Sequence, residues 1–436
     1  MIFIIDALAG AGKTYWAVEK AKELVSKKQH VLFCSPSTDL QYEMATRLGS
    51  TPYKIINYME SKDTGGVTST ISNYLKNPYK NEVLIITHSA FKNISNFPKK
   101  KNWTIFIDEE ISAIDFISFN LTDASNYQIG CDLEHEIPEI SSWKCQDEGF
   151  MEINPKHGCN KSDINFLKSL CYSNDMVYPS FKKFIQLLIN PNMQIYADTG
   201  VMTAFRFGSP DVEMWAELNT NIFNGFKNLY LMGARIQNSQ LISYLKLKKV
   251  PIKLLDIPKR FSNHNQPIII KWMSNYPLWS KNYYNQQNKV EPSITNFELF
   301  DMLVGNSIGE EKILLQNNKG NKFKYVKNPN WMPFEVKGLN QYSDTLHYAE
   351  GGAYIWPPAY QNQMTALGFD SDEILLNKTL DHAYQGLMRG SLRNGTFNNN
   401  NNIIFLPTEK MAQNMRNIYF PNAILKQIEA AEYFFK

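Results

Sequence analysis

Met1-Ile-Phe-Ile-Ile-Asp6 runs directly into Ala7-Leu-Ala-Gly10-Ala-Gly12-Lys13-Thr14, an apolar strand, then a glycine-rich turn, then the helix-compatible stretch Tyr15 to Leu24. A loop of this form wraps backbone N–H groups around phosphate oxygens and feeds a helix whose N-terminal partial positive charge faces the same anion. Gly10 and Gly12, with Ala11 between them, give the backbone the freedom to do so. Lys13 reaches the β- and γ-phosphates and the Thr14 hydroxyl ligates Mg²⁺, as in the G-x-x-x-x-G-K-[ST] pattern. Ala7 stands where that pattern has its first glycine, a departure that keeps a small residue. A chance glycine-rich turn would not explain the strand in front of it and the helix behind it. The stretch therefore predicts a site for a nucleoside triphosphate and Mg²⁺.

At 436 residues the chain exceeds the usual size of one hydrophobic core, so two domains, or two plus an insertion, are expected. Apolar content of 43% with 20% charged residues describes a soluble globular protein. No apolar run is long enough to span a bilayer, and the N-terminal apolar stretch ends at Asp6, so neither a membrane anchor nor a signal peptide is expected and the reading is cytoplasmic. A net charge of +3 permits a nucleic-acid partner without requiring one. Five cysteines without a C-x-x-C pair point to reduced thiols. Cys131, Cys145, Cys159 and Cys171, with His135 and His157, leave a structural zinc site open beside the alternative of small buried thiols, although their spacing matches no standard zinc pattern.

Val31 to Cys34, Val83 to Ile86 and Trp103 to Ile107 read as short buried strands separated by helical stretches, the signature of a parallel sheet covered on both faces. Polar residues at the carboxyl ends of such strands are where a doubly wound fold places its ligand. Roughly 120 residues separate Asp108 from the next clear strand at Lys227 to Met232, far more than a βα connection needs. An inserted, mostly helical subdomain at about 118–225 is expected, with a helix around Phe181 to Leu188. Pro258, Lys259 and Arg260 lie in a linker near 255–267. The predicted domains are therefore 1–255 and 256–436, the second built on strands at Ile268 to Ile270, Lys312 to Leu315 and Ile403 to Leu406. The run Asn398 to Asn402 reads as a solvated low-complexity loop.

Two constellations carry chemistry. Asp108 and Glu109 follow an apolar strand, with Asp108 placed to hold Mg²⁺ and Glu109 to activate a water; two solvated acids capping a helix start are the alternative. Gln385, Arg389 and Arg393 fall at i, i+4 and i+8, one stripe of a helix that can face a nucleotide bound to the other domain. Arginine stays charged and donates a planar fork, which suits γ-phosphate charge in the transition state.

With these residues the chain resembles the superfamily 2 helicases and translocases, the DEAD-like group. Gly10 to Thr14 correspond to motif I, Pro36 to Thr38 to motif Ia, Asp108 to Glu110 to motif II, Lys337 to Tyr342 to motif V, and Gln385 with Arg389 and Arg393 to motif VI. Met232 to Ile236 stands in the place of motif III, with Arg235 where the family has Thr. The resemblance spans most of the chain and implies two tandem RecA-like, doubly wound parallel-sheet domains. ATP and Mg²⁺ would sit in the cleft between them, Glu109, Gln385, Arg389 and Arg393 would be catalytic, and a nucleic-acid strand would cross both domains. Candidate strand contacts are Ser37, Thr38, Thr87, His88, Trp272 and Trp279. The last two belong to a stretch, Trp272, Tyr276, Trp279, Tyr283 and Tyr284 interleaved with Lys271 and Lys281, that suits base stacking beside phosphate pairing and equally suits the edge of a core. Only six residues precede the loop, so weak base selectivity is expected. DNA is expected ahead of RNA, with replication proteins as further partners, in a phage or plasmid setting that the Asn-, Lys- and Tyr-rich composition suggests. A genome-packaging ATPase is the main alternative; a small-molecule kinase or a non-hydrolysing nucleotide-gated protein fits less of the pattern.

Overall fold

The computed structural model describes all residues except 62–65, 80, 131, 147–149, 157–165, 168, 170, 172–175, 207–210, 262–263, 265, 277–278, 319–321, 333–341, 354–360, 362–363, 366, 395–400 and 436. The apolar runs become strands buried on both faces, as a parallel sheet requires. Val83, Leu84, Ile85, Ile86, Ile105, Phe106 and Ile107 are all fully buried. They belong to a seven-stranded parallel sheet in the order Ile252–Leu254, Ile2–Asp6, Asn228–Gly233, Trp103–Asp108, His30–Ser35, Val83–Thr87, Tyr53–Ile55. Asp6, Ser35, Thr87, Asp108 and Gly233 thus end on one edge of the sheet, the edge at which the phosphate loop turns into its helix, Lys13–Ser26.

A second parallel sheet of six strands runs Pro329–Trp331, Ile313–Gln316, His347–Glu350, Asn402–Thr408, Ile268–Ser274, Ile424–Gln427. Leu254 closes the first sheet and Ile268 opens the second, so the stretch read as a linker does connect two separate sheets. Leu8 and Ala11 of the phosphate loop are buried in the same apolar cluster as Ile270, Tyr384 and Phe405, so the loop is packed between the two units.

Two expectations are corrected. The insertion is not mostly helical: it is built on a five-stranded antiparallel sheet ordered Ile114–Asn120, Asp211–Leu218, Met193–Asp198, Phe150–Pro155, Ser141–Cys145, and it begins before residue 118. Its strands alternate; Met193, Ile195 and Ala197 are buried and the residues between them are not. Such short period-two segments signal less strongly than the helix Pro179–Leu188, which covers the sheet with Phe181, Phe184, Ile185 and Leu188. Asn402, read as part of a solvated run, is buried in a central strand, where Ser391 donates to its side-chain oxygen at 3.1 Å. Residues 398–400 of that run lie outside the described residues.

Among the described residues no helix is long and apolar enough to cross a membrane, and no group of three His, Cys, Asp or Glu could hold a metal ion. Cys131, His157 and Cys159 lie outside the described residues; Cys145 is exposed and Cys171 buried.

Candidate nucleotide site

Gly10 and Gly12 adopt φ of 79° and 100°, the left-handed region that a side chain would make costly, and this bends the chain from strand to helix within a few residues. The Lys13 ammonium folds back over the loop and donates to the carbonyls of Ala7 at 2.6 Å and Leu8 at 3.0 Å. Burial pushes its pKa below the ordinary value, against the opposing pull of Asp108, Glu109 and Asp6. At the next residue, the Thr14 hydroxyl donates to the Asp108 carboxylate at 3.1 Å.

Asp108 ends its strand half-buried beneath the loop. Burial first, and the Glu109 carboxylate second, push its pKa up to about 6, while Lys13 and the Thr14 hydroxyl pull it down. Two adjacent carboxylates beside a hydroxyl, with one carboxylate desolvated, are oxygen ligands short of positive charge. This set fits Mg²⁺, and Thr14 and Asp108 are the residues that would hold it. Glu109 turns with φ 66°, unusual for a side-chain-bearing residue, and its N–H donates to Met232 O at 2.7 Å. That turn brings Glu109 into the cleft rather than back along the sheet. Glu110 points elsewhere: its carboxylate accepts from the Leu241 N–H at 2.7 Å at the start of the helix Gln240–Leu247.

The second unit closes the site. A cleft of about 280 Å³ is lined by Gly10, Gly12, Lys13, Thr14, Asp108 and Glu109 from the first and by Gln385, Met388 and Arg389 from the second. The helical stripe expected there is corrected. The helix Ser371–Leu387 ends before Arg389, and the next turn tightens, with the N–H groups of Arg389 and Gly390 donating three residues back to Gly386 and Leu387. Gly390 enforces the stop by close approach: a Cβ there would sit 2.7 Å from the Thr345 carbonyl oxygen. Gln385 and Arg389 reach the same cleft from a helix end and a turn, and Arg389 is 94% buried there, its residue being only 6% exposed. Arg393 falls in the short 3₁₀ turn Ser391–Asn394, off the helix that carries Gln385.

Further contacts join the two units. The Tyr384 hydroxyl accepts from the Ala9 N–H of the phosphate loop at 3.0 Å and lies 2.8 Å from His264 Nε2 of the linker. Tyr384 stacks on Tyr419 with 4.0 Å between centroids. Arg235, in the left-handed region with φ 55°, sits over the Tyr419 ring and donates to the Ile418 carbonyl. Arg47 and Arg260 also line the cleft. Of these residues only Arg235 lies in a stretch read as a motif. Arg260 was legible only as part of a linker.

Burial holds His264 neutral, with its pKa pushed down to about 4. Between pH 6.5 and 4 the unfolded chain binds a proton at this imidazole that the folded chain does not, so this group makes stability fall as pH falls through that window and has no effect above it. Denaturant unfolding at pH 7.5 and pH 5 should show roughly 2 kcal/mol less acid sensitivity in His264→Gln than in the wild type. Equal slopes would refute the burial argument.

The expected strand contacts divide. Ser37 and Thr87 use their side-chain oxygens to cap the helices Thr38–Leu48 and His88–Lys92, accepting from Leu40 N at 3.4 Å and Ala90 N at 3.2 Å. Thr38 is exposed and His88 half-buried on that same edge. Trp279 is a core residue, 4% exposed, its indole donating to Gly351 O at 3.0 Å, which corrects its reading as a stacking surface. Lys271 is likewise buried and donates to Ser307 at 2.8 Å, and Trp272 is half-buried. Most of that aromatic stretch is the edge of a core. Lys337 to Gln341, the main part of the expected motif V, lie outside the described residues.

A family model described as type III restriction enzyme, res subunit, matches residues 2–112, which hold the phosphate loop and the Asp108–Glu109 pair. Among solved structures, an XPD helicase is 12% identical, with 98% of this chain and 96% of that chain covered and a TM-score of 0.53. The likeness is one of fold, two tandem RecA-like domains built on parallel sheets. Xpd4 of S. tokodaii is 11% identical over 98% of this chain and 96% of that one, with a TM-score of 0.48. S. cerevisiae Dbp5 bound to RNA and ADP BeF3 is 9% identical over 99% and 86%, with a TM-score of 0.40. No curated protein matches the chain.

Proposed function

We propose that this protein is an ATP-dependent nucleic-acid helicase or translocase that hydrolyses ATP in the cleft between its two parallel-sheet units. The observation that carries the reading is the convergence of Lys13, Thr14, Asp108 and Glu109 from one unit with Gln385 and Arg389 from the other on a single cleft. The loop amides and Lys13 would hold the phosphates. Mg²⁺ bound by Thr14 and Asp108 would neutralise charge on the β- and γ-phosphates. Glu109 would accept a proton from the attacking water, and Arg389, with Gln385 beside it, would meet the charge that develops on the transferred phosphoryl group. Because these groups are split between two units, hydrolysis would be tied to opening and closing the cleft, which is how movement along a strand would follow.

Thr38 and His88, on the sheet edge beside the phosphate loop, are proposed strand contacts, with DNA as the track. An Asn-, Lys- and Tyr-rich composition, which an AT-rich genome produces, is the ground for placing the protein in phage or plasmid replication, working in the cytoplasm with replication proteins. Steady-state ATP hydrolysis with and without single-stranded DNA, duplex DNA and RNA tests the reading, with Lys13→Ala as the control. Stimulation of at least about tenfold by one polymer, absent from Lys13→Ala, is expected. Hydrolysis indifferent to every polymer would overturn the motor reading.

A further inference from the structure

The edge of the first sheet opposite the cleft is basic. Five neighbouring strands, Ile252–Leu254, Ile2–Asp6, Asn228–Gly233, Trp103–Asp108 and His30–Ser35, run parallel, so all begin on that edge. Four of them are entered through Lys248-Lys-Val-Pro251, Asn224-Gly-Phe-Lys227, Lys99-Lys-Lys-Asn102 and Lys27-Lys-Gln-His30, which hold eight lysines and no Asp or Glu. At about 4.8 Å between strands this row spans roughly 19 Å. It stops at the next strand, Val83–Thr87, whose entry carries Glu82.

Ordinary helix capping accounts for part of the row. Lys27 and Lys248 cap the ends of the helices Lys13–Ser26 and Gln240–Leu247, where a cation is favoured, and they pair with Glu23 and Glu217. Lys100 turns inward to the carbonyls of Asn221 and Ile222. The other five, Lys28, Lys99, Lys101, Lys227 and Lys249, are exposed and, among the described residues, stand in no ion pair. Lys227 donates to Gln29 Oε1 at 2.9 Å, which joins the entries of two strands that are not neighbours. Lys28 and Lys249 lie just past the two helix caps with φ 58° and 55°, and Lys99 has φ 51°. Glycine is the usual occupant of such a left-handed position at a helix end, because it takes it without steric cost. Lysine at all three keeps a charge where the backbone by itself favours a residue without one.

Unpaired cations held on turns at strand spacing match a polyanion whose charges recur along a line. A nucleic-acid backbone has that form, and lysine meets its phosphates as a point charge without reading the bases. A membrane surface is matched by an amphipathic helix with a basic face, whereas these lysines sit on turns. Strands of five or six residues, roughly 16–20 Å long, separate this edge from the one that carries the phosphate loop.

We infer that the lysine edge is a second nucleic-acid site, a sequence-independent anchor for the phosphodiester backbone outside the cleft. It rests on the proposed function only for the class of partner. Nucleic acid held there touches one unit alone, so its affinity does not follow the nucleotide bound between the two units.

The test is equilibrium binding of single-stranded DNA, duplex DNA and RNA of about 30 nucleotides at about 50 and 200 mM salt, with and without a non-hydrolysable ATP analogue and Mg²⁺. Two doubles, Lys99→Glu with Lys101→Glu and Lys28→Glu with Lys249→Glu, probe different strand entries. Lys324→Glu with Lys327→Glu, exposed lysines of the second unit, is the charge-matched control, and thermal unfolding shows that each variant folds. Each edge double should weaken binding by about tenfold at the lower salt and flatten the salt dependence by about one to two, equally with and without the analogue. ATP hydrolysis without polymer should stay within about twofold of wild type. A folded edge double that binds as wild type, an equal loss in the control, or a loss seen only with the analogue bound would overturn the anchor. So would tighter binding to phosphatidylserine-containing vesicles than to any nucleic acid. If hydrolysis is still stimulated by a polymer in any of these cases, the motor reading stands. Wild type that binds no nucleic acid and hydrolyses ATP indifferently to every polymer would overturn both.

Discussion

Arg389→Ala is expected to lower kcat for ATP hydrolysis by about 1,000-fold while ATP affinity changes by only a few-fold. Arg389 comes from the second unit, lies almost fully buried on the cleft wall, and shares that wall with the phosphate loop and Glu109. An arginine supplied across an interface acts on charge that exists only in the transition state, so its loss appears in kcat rather than in binding. Arg389→Lys keeps the charge and loses the planar fork, and should recover only a small part of the rate. Single-turnover hydrolysis with separately measured nucleotide affinity checks this, with thermal unfolding to show that the variant still folds. A variant that binds ATP normally and hydrolyses it within about tenfold of wild type would remove Arg389 from the chemistry and, with it, the case for catalysis between the two units.

Glu109→Gln should have an effect of similar size, a loss of about 100- to 10,000-fold in hydrolysis with Mg²⁺–ATP binding retained. The amide keeps the size and the turn geometry but cannot take the proton from water. The φ of 66° at Glu109 belongs to the argument, because a side-chain-bearing residue is held in this region only where its surroundings impose it. Here the strand end and the hydrogen bond to Met232 O impose it, and the carboxylate is aimed into the cleft. Glu110→Gln is the matched control. Its carboxylate is committed to the Leu241 N–H, so its loss should reach stability rather than hydrolysis. Equal loss of hydrolysis in the two variants would show that the cleft geometry assigns the acids wrongly. Losing the Asp108 carboxylate should instead weaken nucleotide binding when Mg²⁺ is present, since it sits 3.1 Å from the Thr14 hydroxyl with which it would hold the ion.

Much of the candidate nucleotide site was legible because its residues are adjacent in sequence. A glycine pair, a lysine and a threonine at fixed spacing impose their geometry on one another, and the loop needs only the strand before it and the helix after it. The parallel strands were legible for a similar reason, since continuous apolar runs have few other places to go. The inserted antiparallel sheet was not. Its short alternating strands are each compatible with several structures, and the pairing of Ile114–Asn120 with Asp211–Leu218 joins segments nearly a hundred residues apart. Trp279 and Lys271 carry the side chains of a strand-binding surface, and only the packing of the second sheet reveals that both point inward.

The amino-acid sequence by itself determined that a phosphate loop stands at the start of this chain, that an acidic pair ends a neighbouring strand, and that the fold rests on parallel sheets. Local backbone chemistry and hydrophobic period are sufficient for each of these. Only the tertiary structure decided that Arg389 reaches the cleft from a tight turn past a helix end, that Tyr384 closes on the Ala9 N–H, and that Arg260 brings the linker over the loop. The physical reason is distance along the chain: Ala9 and Tyr384 are separated by 375 residues. A hydrogen bond between such groups exists only once two separate sheets have packed against each other, so no spacing within either segment could announce it.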